Sequence, residues 1–376
     1  MKYKLMEITD IYSEYADQVS ERDAGWSYEQ HHQEIFDDCY CEADYIHRIF
    51  RDELGLETMH VYYDYRKLQE KWDQNPDKEP FSILLRQIKA FDPNVILVMT
   101  PSIITKEKME IIRHELHHTV HFISYYFSWI TEDIKQVLPE YELICTGSYF
   151  AANQIKQYNN NVHVVRHAFE PSILPKLSHT DSKNKIGFIG SIIIIRSGHT
   201  NRIDLLASLK KNQVDFDYYG KVHGSFLNPK RLIEHIVYEP WRLPERVRTE
   251  KYLKETCKPS QFGLAYYETL ARYSINVNLH ADIAGTGAGN MRMFEVTGVG
   301  SCLLTDYREE NEMLFEENKE IVVFRNYDDL ADKAKFLLKH PEEAKRIAQN
   351  GQKRTLRDYT YRNKALAMDK LIQDIL

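Results

Sequence analysis

The sequence predicts an α/β fold with two mostly parallel sheets, and three observations lead to this prediction. Strand candidates alternate with helical stretches along both halves of the chain, which is typical of parallel sheets. The run 94–100 (NVILVMT) is apolar on both faces, as a central parallel strand should be. A polar, proline-bearing segment at 171–185 precedes a second series of strands, so it is the expected linker between two domains.

Each half of the chain supplies its own set of elements. In the first half, strands are predicted at 3–8, 59–63, 95–100, 119–124, 142–146 and 162–166, and helices at 28–53, 81–91, 106–115 and 148–157. In the second half, strands are predicted at 185–190, 214–219, 274–279, 301–305 and 320–324, and helices at 205–211, 264–273, 291–297, 328–338 and twice within 341–376. Open α/β sheets bind ligands at the carboxyl ends of their strands, so two facing sheets would place a site in the cleft between them.

Composition and charge exclude several classes of protein. The chain has 376 residues, of which 43% are hydrophobic and 28% charged, as in an ordinary globular protein of two domains. Its net charge of −7 argues against nucleic-acid binding. The first residues lack the apolar core of a signal peptide, and the longest apolar run, 186–195, is too short to span a bilayer. The five scattered cysteines favour a reduced compartment, and we expect a cytoplasmic protein.

The stretch 285–306 (GTGAGNMRMFEVTGVGSCLLTD) carries the strongest functional signal. It predicts a glycine-rich loop, a helix opening near Asn290, a turn and a short apolar strand. Glycines such as Gly289 let a backbone approach a ligand, and a helix N-terminus offers N–H groups to an anion. Glu295, one turn into the helix, suits a ribose diol. Spacing alone leaves a second interpretation open, in which the glycines only make turns in a βα crossover.

Two other strand ends of the second half carry similar signals. Gly190 and Ser191 follow one predicted strand, and Arg196 and Arg202 come shortly afterwards. Forked guanidinium donors suit phosphate oxygens, although each arginine taken alone is better explained as a solvated surface charge. Lys221 follows the next strand and is a further candidate for the diphosphate. Three such loops at one sheet edge predict an anion site more specifically than any one of them.

The segment 290–306, with its core N-x-R-x-F-E-x-x-G-x-G, resembles the donor-site signature of GT-B glycosyltransferases. It is most similar to the group related to the spore maturation protein CgeB. The tail agrees, with KEIVVF at 319–324, IAQNG at 347–351 and YTYR at 359–362. The resemblance covers residues 185–376, whereas the N-terminal half matches only in outline.

The resemblance implies two Rossmann-like domains that face each other across a cleft, with C-terminal helices crossing back to the N-terminal domain. The expected domains are 1–172 for the acceptor, 173–350 for the donor and 351–376 for the closing helix. It also implies that Glu295 binds the ribose hydroxyls and that Gly289, Asn290 and Arg292 lie near the diphosphate. Arg292 and Glu295 are three residues apart, so they could instead pair with each other.

The expected reaction moves a sugar from a nucleotide-diphosphate donor, such as a UDP-sugar, to a hydroxyl of a glycan, a lipid-linked acceptor or a protein. No metal or other cofactor is expected. A peripheral contact with membranes is left open.

The chain departs from the family pattern at positions that bear on the mechanism. Many retaining relatives carry a second glutamate eight residues before the ribose glutamate, where this chain has Gly287. The mechanism that uses two glutamates therefore does not carry over, and a general base is sought in the N-terminal half. His167 and His121 are the candidates, since histidine titrates near neutral pH. Each is also readily explained as a core histidine. A non-catalytic module that binds a sugar nucleotide or a polysaccharide is therefore the alternative function.

A second motif predicts different chemistry. His114, Glu115 and His118 match the H-E-x-x-H pattern, in which two histidines on one helix face bind zinc and the glutamate acts as a base. The segment runs directly into a predicted strand, so the helix is expected to fray near His118. A zinc hydrolase is therefore only a remote alternative.

Overall fold

The computed structural model describes residues 2–42, 44–73, 75, 77–178, 182–194 and 200–376. The chain divides into two compact units, and each has its own parallel sheet. The first unit comprises Met1–Glu170 and Tyr361–Leu376, and the second comprises Pro171–Thr360. The C-terminal segment thus belongs to the first unit.

Six parallel strands form the sheet of the first unit. They are β1 (Lys4–Thr9), β2 (Glu57–Tyr62), β3 (Val95–Val98), β4 (His121–Tyr125), β5 (Leu143–Thr146) and β6 (Val162–Val164). Their order in the sheet is β2-β1-β3-β4-β5-β6. All six lie where the sequence predicts a strand, because apolar runs bounded by turn residues are a strong local signal.

Among the described residues, eight α-helices precede the linker. They are α1 (Ser13–Arg22), α2 (Tyr28–Asp37), α3 (Tyr45–Asp52), α4 (Arg66–Trp72), α5 (Pro80–Phe91), α6 (Lys106–Glu115), α7 (Glu132–Val137) and α8 (Tyr149–Ile155). The single helix predicted at 28–53 is wrong, since the structure has α2 and α3 with a turn between them. Cys39 and Cys41 in that turn have φ values of 58° and 47°, which end a right-handed helix.

Five parallel strands form the main sheet of the second unit, in the order β13-β12-β11-β7-β9. The strands of this unit are β7 (Lys183–Ile189), β8 (Ile192–Ile193), β9 (Phe216–Tyr219), β10 (Val222–His223), β11 (Tyr273–Asn278), β12 (Cys302–Asp306) and β13 (Val322–Phe324). The short strands β8 and β10 pair with each other and continue the chain beyond β7 and β9.

The helices after the linker belong to the second unit, except that the last of them belongs to the first. They are α9 (Thr200–Lys211), α10 (Pro229–Tyr238), α11 (Leu243–Thr256), α12 (Gly263–Ala271), α13 (Met291–Gly298), α14 (Asn311–Leu314), α15 (Tyr327–Lys339), α16 (Pro341–Asp358) and α17 (Tyr361–Gln373). The sequence did not predict α10 and α11. Of the helices within the described ranges, none is long and apolar enough to cross a membrane.

The two sheets have separate apolar cores. In the first unit, Met6, Ile8 and Ile96 point into a core formed with the helices on one face of the sheet. Glu7 lies between Met6 and Ile8 on β1, so strand alternation turns its side chain to the opposite face. In the second unit, Ile186, Phe188 and Ile275 belong to the corresponding core. These cores fix the carboxyl edges of the strands, where the candidate site residues lie.

Candidate functional site

The loops after β7 and β9 approach each other closely in the second unit. The backbone N–H of Gly190 donates to the carbonyl of Tyr219 at 2.9 Å. A Cβ atom on Gly220 would lie only 2.6 Å from the carbonyl oxygen of Gly190, and the φ of Gly220 is 145°. Only glycine fits at this position, since both the space and the backbone conformation exclude a side chain.

The cationic candidates near these loops differ in what they contact. The guanidinium Nη1 of Arg202, on α9, donates to the carbonyl oxygen of Ser191 at 2.6 Å, so Arg202 holds the loop after β7 in place. Lys221 directly follows Gly220 and is exposed. Arg196 lies outside the described residues. The structure therefore gives Arg202 a contact with the backbone that the sequence did not predict.

Asn290, the residue before α13, is held in place by the amide side chain of Asn278. The Asn290 Nδ2 donates to the Asn278 Oδ1 at 3.0 Å, and the Asn278 Nδ2 donates back to the Asn290 Oδ1 at 3.2 Å. The Asn278 Nδ2 also lies 3.0 Å from the Thr305 hydroxyl. The last residues of β11 and β12 thus fix the beginning of α13.

A buried histidine ties the glycine-rich loop to the end of β12. The N–H of Gly289 donates to the Nε2 of His280 at 3.3 Å, and the Nδ1 of His280 lies 2.7 Å from the Asp306 Oδ1. Because Nε2 accepts a hydrogen bond, Nδ1 carries the proton and donates it to Asp306. Asp306 also accepts from the Nε of Arg308 at 2.7 Å, and Arg308 Nη1 donates to the carbonyl oxygen of Gly285.

Asp306 is the negatively charged member of this cluster, and His280 and Arg308 are its partners. Burial opposes ionisation of this carboxyl group, but His280 and Arg308 lower its pKa below the usual value. Both ends of the glycine-rich loop, Gly285 and Gly289, are therefore held by one ion-paired cluster. Sequence reasoning missed His280, Asp306 and Arg308. These residues follow the predicted strands that become β11 and β12. Because adjacent parallel strands end at the same edge of a sheet, the sequence could have predicted that they lie together there.

Arg292 and Glu295 are brought together with a tyrosine from α12. Arg292 Nη1 donates to the carbonyl oxygen of Ile189 at 2.5 Å, which joins α13 to the end of β7. Its Nε lies 3.4 Å from the Glu295 Oε2, and its guanidinium carbon lies 4.9 Å from the ring centre of Tyr266. The Tyr266 hydroxyl donates to the same Glu295 oxygen. The pairing of Arg292 with Glu295, one of the two interpretations from sequence, is present in the structure.

His167 lies in a different cluster, within the first unit and just beyond β6. Its ring is 5% exposed, and its Nδ1 is 3.6 Å from the Glu42 Oε1. A Cβ on Gly147, which follows β5, would lie 3.0 Å from the His167 Cδ2 and 3.2 Å from its Nε2. Tyr125 and Phe127 contact the ring edge-to-face. Burial lowers the pKa of His167, so the ring is neutral at physiological pH.

Glu42 forms an ion pair with a lysine from the C-terminal helix. The Nζ of Lys364, on α17, lies 2.8 Å from the Glu42 Oε2, and the Lys364 side chain is 1% exposed. Burial raises the pKa of Glu42, but Lys364 and His167 outweigh burial and hold the pKa at about 2. Glu42 therefore remains ionised beside His167.

A second glutamate, Glu7, lies near this pair and behaves in the opposite way. Both of its carboxyl oxygens are buried without a hydrogen-bond partner in the described part of the chain. Burial, followed by the charge of Glu42, raises the pKa of Glu7 to about 8. Glu7 is accordingly protonated at neutral pH, while Glu42 carries the negative charge.

The other histidine candidates lie away from both clusters. His121 is the first residue of β4, at the amino edge of the sheet, whereas ligands of parallel sheets bind at the carboxyl edge. The prediction that His121 acts as a general base is untested, and the position of His121 at the amino edge does not favour it.

The H-E-x-x-H segment does not form a zinc-binding helix face. Helix α6 ends at Glu115, so His118 is not on the helix that carries His114. The His118 Nε2 lies 2.9 Å from the Asp92 Oδ1, whereas the His114 side chain is 89% exposed. Across the part of the chain that the structure describes, no three His, Cys, Asp or Glu side chains are grouped to hold a metal ion.

Comparison with solved structures identifies the fold. A glycosyltransferase from Rickettsia africae ESF-5 matches with a TM-score of 0.58 and 10% identity, covering 100% of this chain and 98% of that chain. Anabaena Alr3699/HepE in complex with UDP-glucose matches with a TM-score of 0.60 and 10% identity, covering 99% and 100%. The protein has the GT-B fold. The sequence prediction of this fold class is thereby confirmed.

Further comparisons agree with this result. Sucrose-phosphate synthase from Thermosynechococcus elongatus matches with a TM-score of 0.55 and 11% identity, covering 100% of this chain and 99% of that chain. The model of a family described as glycosyl transferase-like matches residues 202–370, somewhat less than half of the chain. No curated protein matches in sequence. These findings support a glycosyltransferase, and membership of the CgeB-like group remains a prediction.

Proposed function

We propose that this protein transfers a sugar from a nucleoside-diphosphate donor to a hydroxyl group of an acceptor. One observation carries the proposal: three glycine-bearing loops are joined at the carboxyl edge of the sheet in the second unit. Gly220 touches Gly190, and Arg292 links the helix after the glycine-rich loop to the end of β7. These contacts place the start of α13, a helix N-terminus, beside cations at this edge, and that combination suits a diphosphate.

The leaving diphosphate gains negative charge as the glycosidic bond breaks. N–H groups at the start of α13 and the cation Arg292, which its contacts with Ile189 and Glu295 hold in place before the reaction, would stabilise that charge. Lys221 would add a further positive charge. We propose that these groups make a metal ion unnecessary. HepE is described in complexes with UDP and with UDP-glucose, which supports a UDP-sugar as the donor.

Glu295 is proposed to bind the two ribose hydroxyls of the donor. A carboxylate accepts two hydrogen bonds from a vicinal diol, and Tyr266 and Arg292 hold Glu295 in one orientation. Its burial excludes competing water.

His167 is proposed as the general base. The Glu42 carboxylate lies 3.6 Å from its Nδ1 and would stabilise the imidazolium that forms when Nε2 accepts the proton of the acceptor hydroxyl, as the new bond to the sugar forms. The lowered pKa of His167 suits a base that must be neutral before the reaction. We further propose a cytoplasmic enzyme whose acceptor is a glycan, a lipid-linked saccharide or a protein.

Binding of UDP, measured by calorimetry without added metal, tests the donor site. We expect Glu295→Ala to weaken binding by about tenfold or more, the loss expected when a charged group no longer accepts hydrogen bonds. Glu312→Ala removes an exposed carboxylate of the same unit and should leave binding unchanged. If the wild-type protein binds neither UDP nor any other common nucleoside diphosphate, the proposal is wrong.

Turnover separates an enzyme from a module that only binds. With EDTA present, the wild-type protein should hydrolyse or transfer from a UDP-sugar above background. His167→Ala should lower this rate by about 10²-fold or more and leave UDP affinity unchanged, since the base does not contact the nucleotide. UDP binding with no turnover of any donor would instead establish the non-catalytic alternative.

A further inference from the structure

Large apolar side chains are exposed together on and around α10 in the second unit. Each of them exposes more than half of its surface: Leu227 59%, Ile233 63%, Ile236 55%, Val237 63%, Tyr238 74% and Trp241 72%. Single exposed apolar residues are ordinary, but six within fifteen residues are not. We call these six side chains the α10 apolar face.

The opposite side of α10 is firmly anchored, so this exposure is a fixed property of the fold. His235 is 7% exposed, and its Nδ1 donates to the carbonyl oxygen of Arg231 at 2.8 Å. Its Nε2 accepts from the Nη1 of Arg246 at 2.8 Å. Arg246, on α11, is itself held by Asp204 at 2.7 Å. The helix cannot rotate its apolar residues inward without breaking this buried chain of polar contacts.

Helix geometry makes the face continuous. Ile233, Ile236 and Val237 are spaced by three and four residues, which places them on one side of a helix. Lys230 precedes Ile233 by three residues, so it lies on the same side of the helix and adds a positive charge at the end of the α10 apolar face. Tyr238 and Trp241 lie at the C-terminal end of the helix. Tyrosine and tryptophan are the aromatic residues enriched where a hydrocarbon phase meets water.

The segment 221–255, which carries the face, is rich in positive charge. Its exposed charged residues are Lys221, Lys230, Arg242, Arg248, Lys251 and Lys254, against Glu245 and Glu255, and the partly exposed Glu234 is paired with Arg231 at 2.7 Å. The less exposed Glu239 is paired with Arg246 at 2.5 Å, and the buried Glu250 with Lys254 at 2.7 Å. The whole chain has a net charge of −7, so this basic surface runs against the overall balance.

We propose that the α10 apolar face docks on a lipid bilayer that contains anionic headgroups. The apolar side chains would enter the boundary between headgroups and acyl chains, and the surrounding Lys and Arg side chains would contact lipid phosphates. Apolar insertion and electrostatic attraction together are the usual basis of binding by an interfacial helix. The inference does not depend on sugar transfer, because it rests on a surface of the second unit alone.

Vesicle binding of the full chain tests the proposal in the absence of any donor. Wild-type protein should sediment with vesicles of phosphatidylcholine and phosphatidylglycerol, and high salt should weaken this binding. A triple variant, Ile233→Ser, Val237→Ser and Trp241→Ser, should bind at least about tenfold more weakly because it loses the inserted apolar area. Met313→Ser, at a residue of the same unit that is 61% exposed, is the matched control and should bind like wild type.

Two results would overturn the proposal. One is failure of the wild-type protein to bind the anionic vesicles. The other is concentration-dependent self-association in solution that the triple variant abolishes, since the face would then be an interface between copies of the chain. Circular dichroism and thermal unfolding of the triple variant must match wild type. If they do not, quenching of Trp241 fluorescence in wild type by brominated lipid, with Trp241→Phe as the reference, decides the question.

Discussion

The two candidate clusters of this protein are built in different ways. In the second unit, the residues proposed to hold the donor come largely from one short segment, 278–308, whose members are tied by hydrogen bonds at adjacent strand ends. In the first unit, the cluster around His167 draws Glu42, Gly147 and Lys364 from distant parts of the chain. A local segment leaves a pattern that can be read in sequence, whereas a dispersed cluster does not.

The clusters also differ in their electrostatics. The three glycine-bearing loops of the second unit, here called the donor loops, include a buried ion-paired cluster at Asp306, and the guanidinium groups of Arg202 and Arg292 donate to backbone carbonyls at the end of β7. The His167 cluster instead contains two glutamates, of which Glu7 is protonated and Glu42 is ionised. The comparison predicts that changes in the donor loops act on nucleotide binding. Changes in the His167 cluster should act on stability and turnover.

The largest expected effect is on the ion pair of the first unit. Lys364→Met should lower the free energy of unfolding by about 3–5 kcal/mol, because it leaves the buried Glu42 carboxylate without its main cation. The double variant Lys364→Met with Glu42→Gln should recover most of this loss, since the uncompensated charge is gone. Urea unfolding of the three proteins measures both effects. Equal stability of the single and double variants would show that the charge is not the cause.

The next effect concerns the contact between the donor loops. Gly220→Ala should destabilise the protein by about 2–4 kcal/mol and weaken UDP binding at least about tenfold, because a Cβ would lie 2.6 Å from the Gly190 carbonyl oxygen. Gly25→Ala is the control. Gly25 also has a positive φ, of 87°, but has no atom within 4 Å of its Cβ position, so that variant should cost about 1 kcal/mol. If Gly220→Ala binds UDP as tightly as wild type, the contact between Gly220 and Gly190 is not part of the donor site.

The pH dependence of stability tests Glu7. Its pKa is raised in the folded protein, so its stabilising contribution is full below the ordinary value of 4.5 and is lost as the pH rises through about 8. Glu7 alone should therefore contribute a fall in stability between about pH 5 and pH 8, by at most about 1.4 kcal/mol per pH unit for one proton. Buried histidines such as His32 and His47, whose pKa is lowered, contribute a rise up to about pH 6.5, so the Glu7 contribution is measured as the difference between variant and wild type. Glu7→Gln should remove this fall. Glu21→Gln, at an exposed position of the same unit, should retain it, and an unchanged slope in Glu7→Gln would contradict the assignment.

The smallest expected effect is at the H-E-x-x-H motif, which belongs to neither cluster. His114→Ala should change stability by less than about 0.5 kcal/mol, because the side chain is 89% exposed. Turnover and metal content should also stay as in wild type. Stoichiometric zinc in protein purified without added metal, lost in His114→Ala, would restore the hydrolase alternative.

Much of the fold followed from local patterns. The strands of both main sheets appear as apolar runs, and α6 occupies the range predicted for it. The helix predicted at 28–53 failed because the break depends on backbone conformations at Cys39 and Cys41, which residue identity does not specify. Helices α10 and α11 were missed as well. Helix α10 does carry apolar residues at helical spacing, but Ile233, Ile236 and Val237 are exposed, and only the structure shows on which side of the helix the core lies.

The sequence by itself determined the α/β class, the two series of strands and the glycine-rich loop with Glu295 one turn beyond it. These are signals of spacing, and spacing along the chain is fixed by the sequence. Only the tertiary structure decided what each polar side chain contacts: that Arg202 binds the Ser191 carbonyl, that His280 and Asp306 hold the glycine-rich loop, and that Lys364 neutralises Glu42 beside His167. Ionisation and hydrogen bonding depend on burial and on neighbours distant in sequence, and folding alone brings those neighbours together.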